Sequence, residues 1–262
     1  MAYLLEGKVV IVTGSSTGIG RATAIECARH GARLVLHHIG DTQAQSDIID
    51  LKRDIESLTK GSKGTRSIDV AADITNDGAG KSIVDAAVAE FGEINGLVNN
   101  AGMCQFMDFA AVTKEQTEKH MAVNYHGTFG ITQAVIKQMI LQGKGGSVVS
   151  IASVCATLGS SQLTHYSATK AAVLGMTINC AVALGRHGIR FNAVSPGTVE
   201  TDMNKGDLVG SKREWMESRV PLGRLGVPED IAKPVVFFIN DMAQYISGQN
   251  LIVDGASTVY YQ

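Results

Sequence analysis

The sequence predicts one α/β domain, a doubly wound parallel sheet of about seven strands with helices on both faces. Three observations predict it. Short apolar runs alternate with longer segments of helical periodicity along the whole chain. A glycine-rich turn joins the first apolar run to the first helical segment. The 262 residues, 45% hydrophobic and 18% charged, supply a sizeable core, and 29 glycines against 4 prolines fit many tight turns better than disorder.

The elements follow in order. Val9 to Thr13 reads as a buried strand ending at Gly14, and Ile19 to His30 as a helix closed by Gly31. Arg33 to His38 is the second strand. Thr42 to Lys60 is a polar helix with Ile48, Leu51, Ile55 and Leu58 on one face, ended by the segment GSKGT at 61–65. A third strand near Ser67 to Ala71 leads to Asp73. Asp77 to Phe91 is helical, and Ile94 to Val98 is the fourth strand. One helix containing Val123 and Asn124 runs to about Gln142, followed by strand five at Gly146 to Ile151. Thr164 to Arg186 is a helix, Ile189 to Val194 strand six, Pro228 to Asn240 a helix, and Asn250 to Val253 the last strand. With no linker or internal repeat, 1–262 reads as a single dinucleotide-binding and catalytic domain. The irregular stretch 196–219 within it reads as a substrate-binding loop.

Function gathers at the strand ends. Thr13-Gly14-Ser15-Ser16-Thr17-Gly18-Ile19-Gly20 leaves a strand and opens a helix. Gly14 permits a sharp turn, Gly18 a close approach of backbone to a pyrophosphate, and Gly20 tight packing of helix on strand. The helix N-terminus offers free N–H groups and the positive end of its dipole. A glycine turn alone is equally a simple tight turn; at the first strand–helix junction of a β-α series it points to a dinucleotide.

The chemistry points to Ser153, Tyr166 and Lys170, with Asn124 upstream. Tyr166 and Lys170 are four apart in a helical pattern and share one face. A free tyrosine has a pKa of about 10, too high for a base at neutral pH, and a neighbouring cation stabilises the phenolate. Ser153 follows strand five, at the carboxyl edge where α/β sheets place ligands, with its hydroxyl available to the reacting oxygen. Taken singly, such a pair is a surface pair and such a serine a turn residue; the set gains its meaning behind the dinucleotide turn.

Together TGSSTGIG at 13–20, Asn99-Asn100-Ala101-Gly102, Ser153, Tyr166-Ser-Ala-Thr-Lys170 and Pro196-Gly197-Thr198-Val199-Glu200-Thr201 resemble the short-chain dehydrogenase/reductase family. The resemblance covers essentially the whole chain. It implies a Rossmann fold and an NAD(P)-dependent oxidoreductase that moves hydride between nicotinamide and a hydroxyl or carbonyl carbon. It implies Tyr166 as acid/base, and Lys170 lowering its pKa and holding the nicotinamide ribose. Ser153 orients the substrate oxygen, and Asn124 supports a proton relay to Lys170. Gly14, Ser16, Thr17, Gly18, Ile19 and Gly20 would hold the phosphates, Asp73 the adenine, and Asn100, Ala101 and Gly102 the second motif's contacts. Pro196, Gly197, Val199 and Thr201 would lie beside the nicotinamide.

NAD-specific relatives commonly carry an acidic residue at the end of strand two, where this chain has His38, preceded by His37. No carboxylate there repels a 2′-phosphate, so the reading leans to NADP, with NAD also usable. Gln105, Cys155, Gln162, His165, Met203 and Trp215 are candidate substrate-lining residues beside Ser153 and Tyr166. Their mixed polarity, and a likeness to the family's sugar dehydrogenases, including aldose 1-dehydrogenases, favour a small polar substrate such as a sugar or polyol. Two alternatives stay open. One is a 3-oxoacyl-carrier-protein reductase, for which Lys205, Lys212, Arg213 and Arg219 would supply a basic patch. The other is a non-catalytic dinucleotide-binding sensor or scaffold.

A formal charge of -2, from 23 basic and 25 acidic residues, gives no sign of nucleic acid or an anionic membrane as partner. The N-terminus lacks the pattern of a cleaved signal, and no uninterrupted apolar run has the length of a membrane span. Cys27, Cys104, Cys155 and Cys180 are scattered like thiols of a reducing compartment, so a cytoplasmic location is expected, with a role near substrate for Cys155 alone. No metal-ligand spacing is evident. Small residues at Ala168, Ala171, Ala172 and Gly175 permit close helix packing, and the resemblance implies subunit pairing there, as a dimer or tetramer.

Overall fold

In the computed structural model residues 3–59 and 66–260 are described, so Lys60 and the glycine-rich segment 61–65 lie outside the described residues. The chain runs β1 (Val9–Val12), α1 (Gly18–Arg29), β2 (Arg33–His38), α2 (Thr42–Leu58), β3 (Ser67–Ala71), α3 (Ala79–Phe91) and β4 (Gly96–Asn99). It continues through α4 (Lys114–Met121), α5 (Thr128–Gln142), β5 (Gly146–Ile151), α6 (Thr164–Leu184), β6 (Ile189–Pro196), α7 (Ser211–Ser218), α8 (Pro228–Ile239) and β7 (Asn250–Val253). Among the described residues the strands form one parallel sheet in the order β3-β2-β1-β4-β5-β6-β7.

The five inner strands, β2, β1, β4, β5 and β6, bury two faces, while the edge strands β3 and β7 are partly exposed. Val10 and Val12 of β1, with Leu34 and Leu36 of β2, pack under residues of α1, α2 and α8. Val9, Ile11 and Val35 turn the other way, to α3 and α5. The chain winds outward from β1 to β3, then returns to lay β4 on the opposite side of β1. That reversal opens a crevice above the carboxyl ends of β1 and β4, where open α/β sheets bind ligands.

The helix expected around Asn124 is divided. Between α4 and α5 lies a π-helical stretch, Ala122–Gly127. Such a widened turn re-aims side chains and recurs at functional sites. Gly127 lets it pack closely, since a Cβ there would lie 2.7 Å from Ile74 Cγ1. The irregular stretch 196–219 contains the short helix α7. The helical stretch Thr164–His187, α6 and the turn after it, is long and apolar enough to cross a membrane, with a mean hydropathy of 1.4. In the fold α6 lies against β6 and α4.

Candidate active site

A cleft of about 1240 Å³ sits over the switch point, lined by the glycine turn, the ends of β4, β5 and β6, the start of α6 and the α7 region. Gly14, Ser16, Thr17, Gly18 and Ile19 line it; Gly20 does not. A Cβ on Gly20 would lie 2.1 Å from the oxygen of Gly14, so this glycine acts through helix–turn packing. Gly14 has φ +62 and its missing Cβ leaves room for Ala101 Cα, which a methyl would approach to 2.9 Å. Thr17 precedes α1 but its side chain caps none of the helix N–H groups. Those amides, with no acidic residue in the first turn, suit an anionic pyrophosphate.

Asn100 stitches the two halves of the cleft together. Its Nδ2 donates to the main-chain oxygens of Thr13 and Gly14, both at 2.9 Å, while its own N–H donates to Thr13 Oγ1 at 2.9 Å. Ala101 N–H shares that acceptor at 3.0 Å, and Gly102 follows on the cleft wall. Asp73 also lines the cleft; Oδ1 accepts from Thr75 N–H at 2.9 Å and Oγ1 at 2.7 Å, and these bonds hold its carboxyl below its ordinary pKa. It is thus both a turn residue and part of the cleft wall. Pro196, Gly197, Val199 and Thr201 also line the cleft. Asn204 pins this segment, donating to Val199 O at 2.7 Å and accepting from Thr201 N–H at 3.1 Å.

Ser153, Tyr166 and Lys170 meet on the opposite wall. The i, i+4 spacing on α6 places Tyr166 and Lys170 on one face, with Lys170 Nζ 5.7 Å from the tyrosine ring centroid. Nζ donates to the main-chain oxygen of Ile151 at 2.8 Å, tying α6 to the end of β5. Asn124 does not line the cleft and is 1% exposed beneath it. Its Oδ1 accepts from Met103 N–H at 2.8 Å, and its Nδ2 donates to Met103 O at 2.9 Å and Thr169 Oγ1 at 3.0 Å. Asn124 Oδ1 and Lys170 Nζ converge on Gly102, where a Cβ would lie 3.2 Å and 3.7 Å from them.

The electrostatics depart from the sequence expectation in one respect. Burial pushes the Tyr166 phenol above its ordinary value, reinforced by the thiols of Cys104 and Cys155 and opposed by a hydrogen bond with Ser153. Burial also pushes the Lys170 ammonium down, to about 8. Loss of water disfavours both charged forms, the phenolate of Tyr166 and the ammonium of Lys170.

Three expected contacts are placed elsewhere. His38 is 2% exposed and absent from the cleft, because strand alternation continues it along the Leu34 and Leu36 face, 3.8 Å from Asp69. His37 takes the cleft position instead, with Ile39 beyond it. His165, on α6 itself, is buried and absent from the cleft, edge-on to His120 at 4.4 Å between ring centroids. Gln105 is exposed and outside the cleft. Cys155, Gln162, Met203 and Trp215 do line it.

Residues the sequence reading missed include Cys104, Phe106 and Asp207, all on the wall. Cys104 lies two positions past Gly102, and its place beyond the carboxyl end of β4 was the available signal. Two of the four residues of the expected basic patch are paired with carboxylates: Lys212 pairs with Asp207 and lies 5.4 Å from the Phe106 ring centroid. Arg213 pairs with Glu200 and Glu217, and Arg219 lies over Trp215. The four cysteines are free thiols, and among the described residues no three His, Cys, Asp or Glu side chains form a metal-ligand group.

Comparison with known proteins agrees with this geometry. The family described as "Enoyl-(Acyl carrier protein) reductase" matches residues 14–258. An L-rhamnose 1-dehydrogenase (NAD(P)(+)) of Azotobacter vinelandii is 46% identical over 260 residues, covering 99% of this chain and 100% of that protein. A crystal structure of levodione reductase superposes with a TM-score of 0.91 at 30% identity, covering 98% of this chain and 100% of that one. A short-chain type dehydrogenase/reductase from Mycobacterium marinum gives a TM-score of 0.90 at 28% identity, covering 98% of both chains.

Proposed function

We propose, from the premise that this chain belongs to the short-chain dehydrogenase/reductase family, that it oxidises a small aldose at C1 with NAD(P)+. The product is the lactone, because removing hydride and a proton from a cyclic hemiacetal leaves a ring ester. L-Rhamnose is the first candidate substrate, on the strength of the relative that carries its name over the full length.

The observation that carries the reading is the shared wall formed by Ser153, Tyr166 and Lys170 opposite the glycine turn. When bound, the nicotinamide supplies the hydride acceptor. Gly14, Ser16, Thr17, Gly18 and Ile19 hold the phosphates, with Asp73 beside the adenine and Asn100, Ala101 and Gly102 along the floor. Pro196, Gly197, Val199 and Thr201 flank the nicotinamide. Tyr166 takes the proton of the C1 hydroxyl as hydride leaves, and Ser153 donates a hydrogen bond to the same oxygen. Lys170 stabilises the phenolate within the dry pocket, and Asn124 holds the loop at Met103 beside Lys170 so that a proton passes outward. The absence of a carboxylate at either cleft-facing position of the β2 end, His37 or Ile39, supports use of NADP as well as NAD.

The carrier-protein alternative draws on the matched family's description. The pairing of Lys212 and Arg213 with carboxylates argues against it, since these cations are committed within the chain. An apolar stripe on α6, including exposed Ile178 and Val182, with Phe129 on α5, supports pairing of subunits through these helices. We place the enzyme in the cytoplasm, consistent with its unpaired thiols.

The test is reduced-dinucleotide formation with NAD+ or NADP+ over a panel of aldoses and polyols, and reduced-dinucleotide consumption with 3-oxoacyl thioesters. L-Rhamnose or a close aldose is expected to turn over, and Tyr166→Phe to lower that rate by about 10²–10⁴-fold with dinucleotide binding kept. Turnover confined to thioesters would replace the sugar reading with the carrier one. Dinucleotide binding without turnover of any compound would favour a sensor.

A further inference from the structure

His37 sits where the phosphate turn and the adenine side of the cleft meet, and both imidazole nitrogens are engaged. The N–H of Gly14 donates to Nδ1 at 3.2 Å, and Nε2 lies 2.8 Å from the main-chain oxygen of Ala72. An amide N–H requires an acceptor and a carbonyl requires a donor, so the two contacts together fix one form of the ring, neutral and protonated at Nε2. Gly14 is the first glycine of the phosphate turn. Ala72 immediately precedes Asp73, the residue on the adenine side. The ring therefore spans the two segments that would grip opposite ends of the adenosine diphosphate portion. It is 2% exposed yet lines the cleft.

We propose that neutral His37 is a positioning residue for the dinucleotide, a strut that holds the Gly14 turn against the β3–Asp73 segment, so that its protonation weakens cofactor binding. The proposal rests on the dinucleotide reading of the cleft. A second proton would have to go on Nδ1, where it would face the Gly14 N–H donor to donor and release the turn. The surroundings favour the neutral ring. Burial lowers its pKa, the hydrogen bond to Ala72 raises it, His38 on the same strand lowers it and Asp73 raises it. The glycine turn from Gly14 to Gly20 presents no titratable side chain. The main chain at His37 meets the same turn, its oxygen accepting from Ser15 N–H at 2.9 Å and Ser15 Oγ at 3.1 Å, so removing the ring leaves the strand attached.

The test is calorimetric titration of the full chain with NAD+ between about pH 5 and 8. NAD+ is chosen because it lacks the 2′-phosphate of NADP+, which titrates near pH 6, as phosphate monoesters do. For the wild type the dissociation constant is expected to rise as pH falls below the histidine's pKa, approaching about tenfold per unit, the limit for one linked proton. His37→Gln keeps an amide donor for Ala72 and carries no titrating proton, so its affinity should be weaker than wild type at pH 8 and flat with pH. His37→Phe should bind weakly throughout, with thermal melting at each pH reporting its folding. A wild-type affinity that is flat, or that strengthens in acid, would overturn the proposal, as would a His37→Gln profile that follows the wild type. Failure of both NAD+ and NADP+ to bind the wild type at any pH would fell the dinucleotide reading and this proposal with it.

Discussion

Asn124 Nδ2 donates to Thr169 Oγ1 at 3.0 Å, which joins the π-helical turn between α4 and α5 to the residue next to Lys170. The same side chain closes a two-way bridge with Met103 N–H and O. Asn124→Ala leaves these buried groups without their partner, at a cost of about 1–3 kcal/mol for an unsatisfied buried group. The expected result is a lower melting temperature together with a reduced kcat. A stability loss with kcat unchanged would remove Asn124 from the proton path and leave it a purely structural bridge.

The Tyr166–Lys170 pair predicts the pH dependence. Burial drives the Lys170 ammonium down to about 8 and the Tyr166 phenol up, so Lys170 is the group of the two that titrates nearest neutrality. Oxidation needs the phenolate form. Its kcat/KM should climb about tenfold per pH unit below the apparent pKa and level off above it, and reduction should show the mirror image. Lys170→Met should remove this inflection and lower kcat. It should also leave melting temperature unchanged or raised, since replacing a buried charge by an apolar group of similar size is often neutral or stabilising by about 1–4 kcal/mol. A Lys170→Met enzyme with the wild-type pH profile would refute the coupling.

Gly20 makes the packing of α1 on the phosphate turn possible. A Cβ there would come within 2.1 Å of Gly14 O and 2.5 Å of Asn100 Nδ2. Gly20→Ala must therefore displace the turn that presents the helix N-terminus. Calorimetry should show dinucleotide affinity reduced by at least about tenfold, or 1.4 kcal/mol. Unchanged affinity would mean that the turn relaxes freely and that its geometry does not govern phosphate binding.

Arg213 anchors α7 over the cleft by pairing with Glu200, between Val199 and Thr201, and with Glu217 on its own helix. Both pairs are partly exposed, so their value lies in placing α7 more than in overall stability. Arg213→Ala should raise KM for the sugar severalfold, leave the melting temperature nearly unchanged and affect kcat less than KM. Equal losses in kcat and kcat/KM would instead show that Arg213 acts at the reacting centre.

How much of this was legible follows from what each signal measures. The glycine turn, the short strand runs and the Tyr166–Lys170 spacing are local patterns; they predicted the fold, and they named the side chains that the structure brings together at the cleft. The helix around Asn124 was legible, its widened turn was not: Gly127 becomes a packing requirement only once Ile74 lies against it. The histidines show the finer limit. Alternation along β2 says that His37 and His38 face opposite ways, but the cleft face is set by β3 and the glycine turn beside them.

The sequence by itself determined the β-α order, the phosphate-binding turn and the pairing of phenol with amine, because strand and helix periods act over a few residues and need no partner. Tertiary structure decided which side chains share the cleft. It brought Cys104 and Cys155 beside Tyr166, turned His165 away from the cleft, buried Asn124 under Met103 and paired Lys212 and Arg213 with nearby carboxylates. The physical reason is that burial and hydrogen-bond partners come from segments remote in sequence. Desolvation, which sets the titration of Tyr166 and Lys170, exists only after those segments pack.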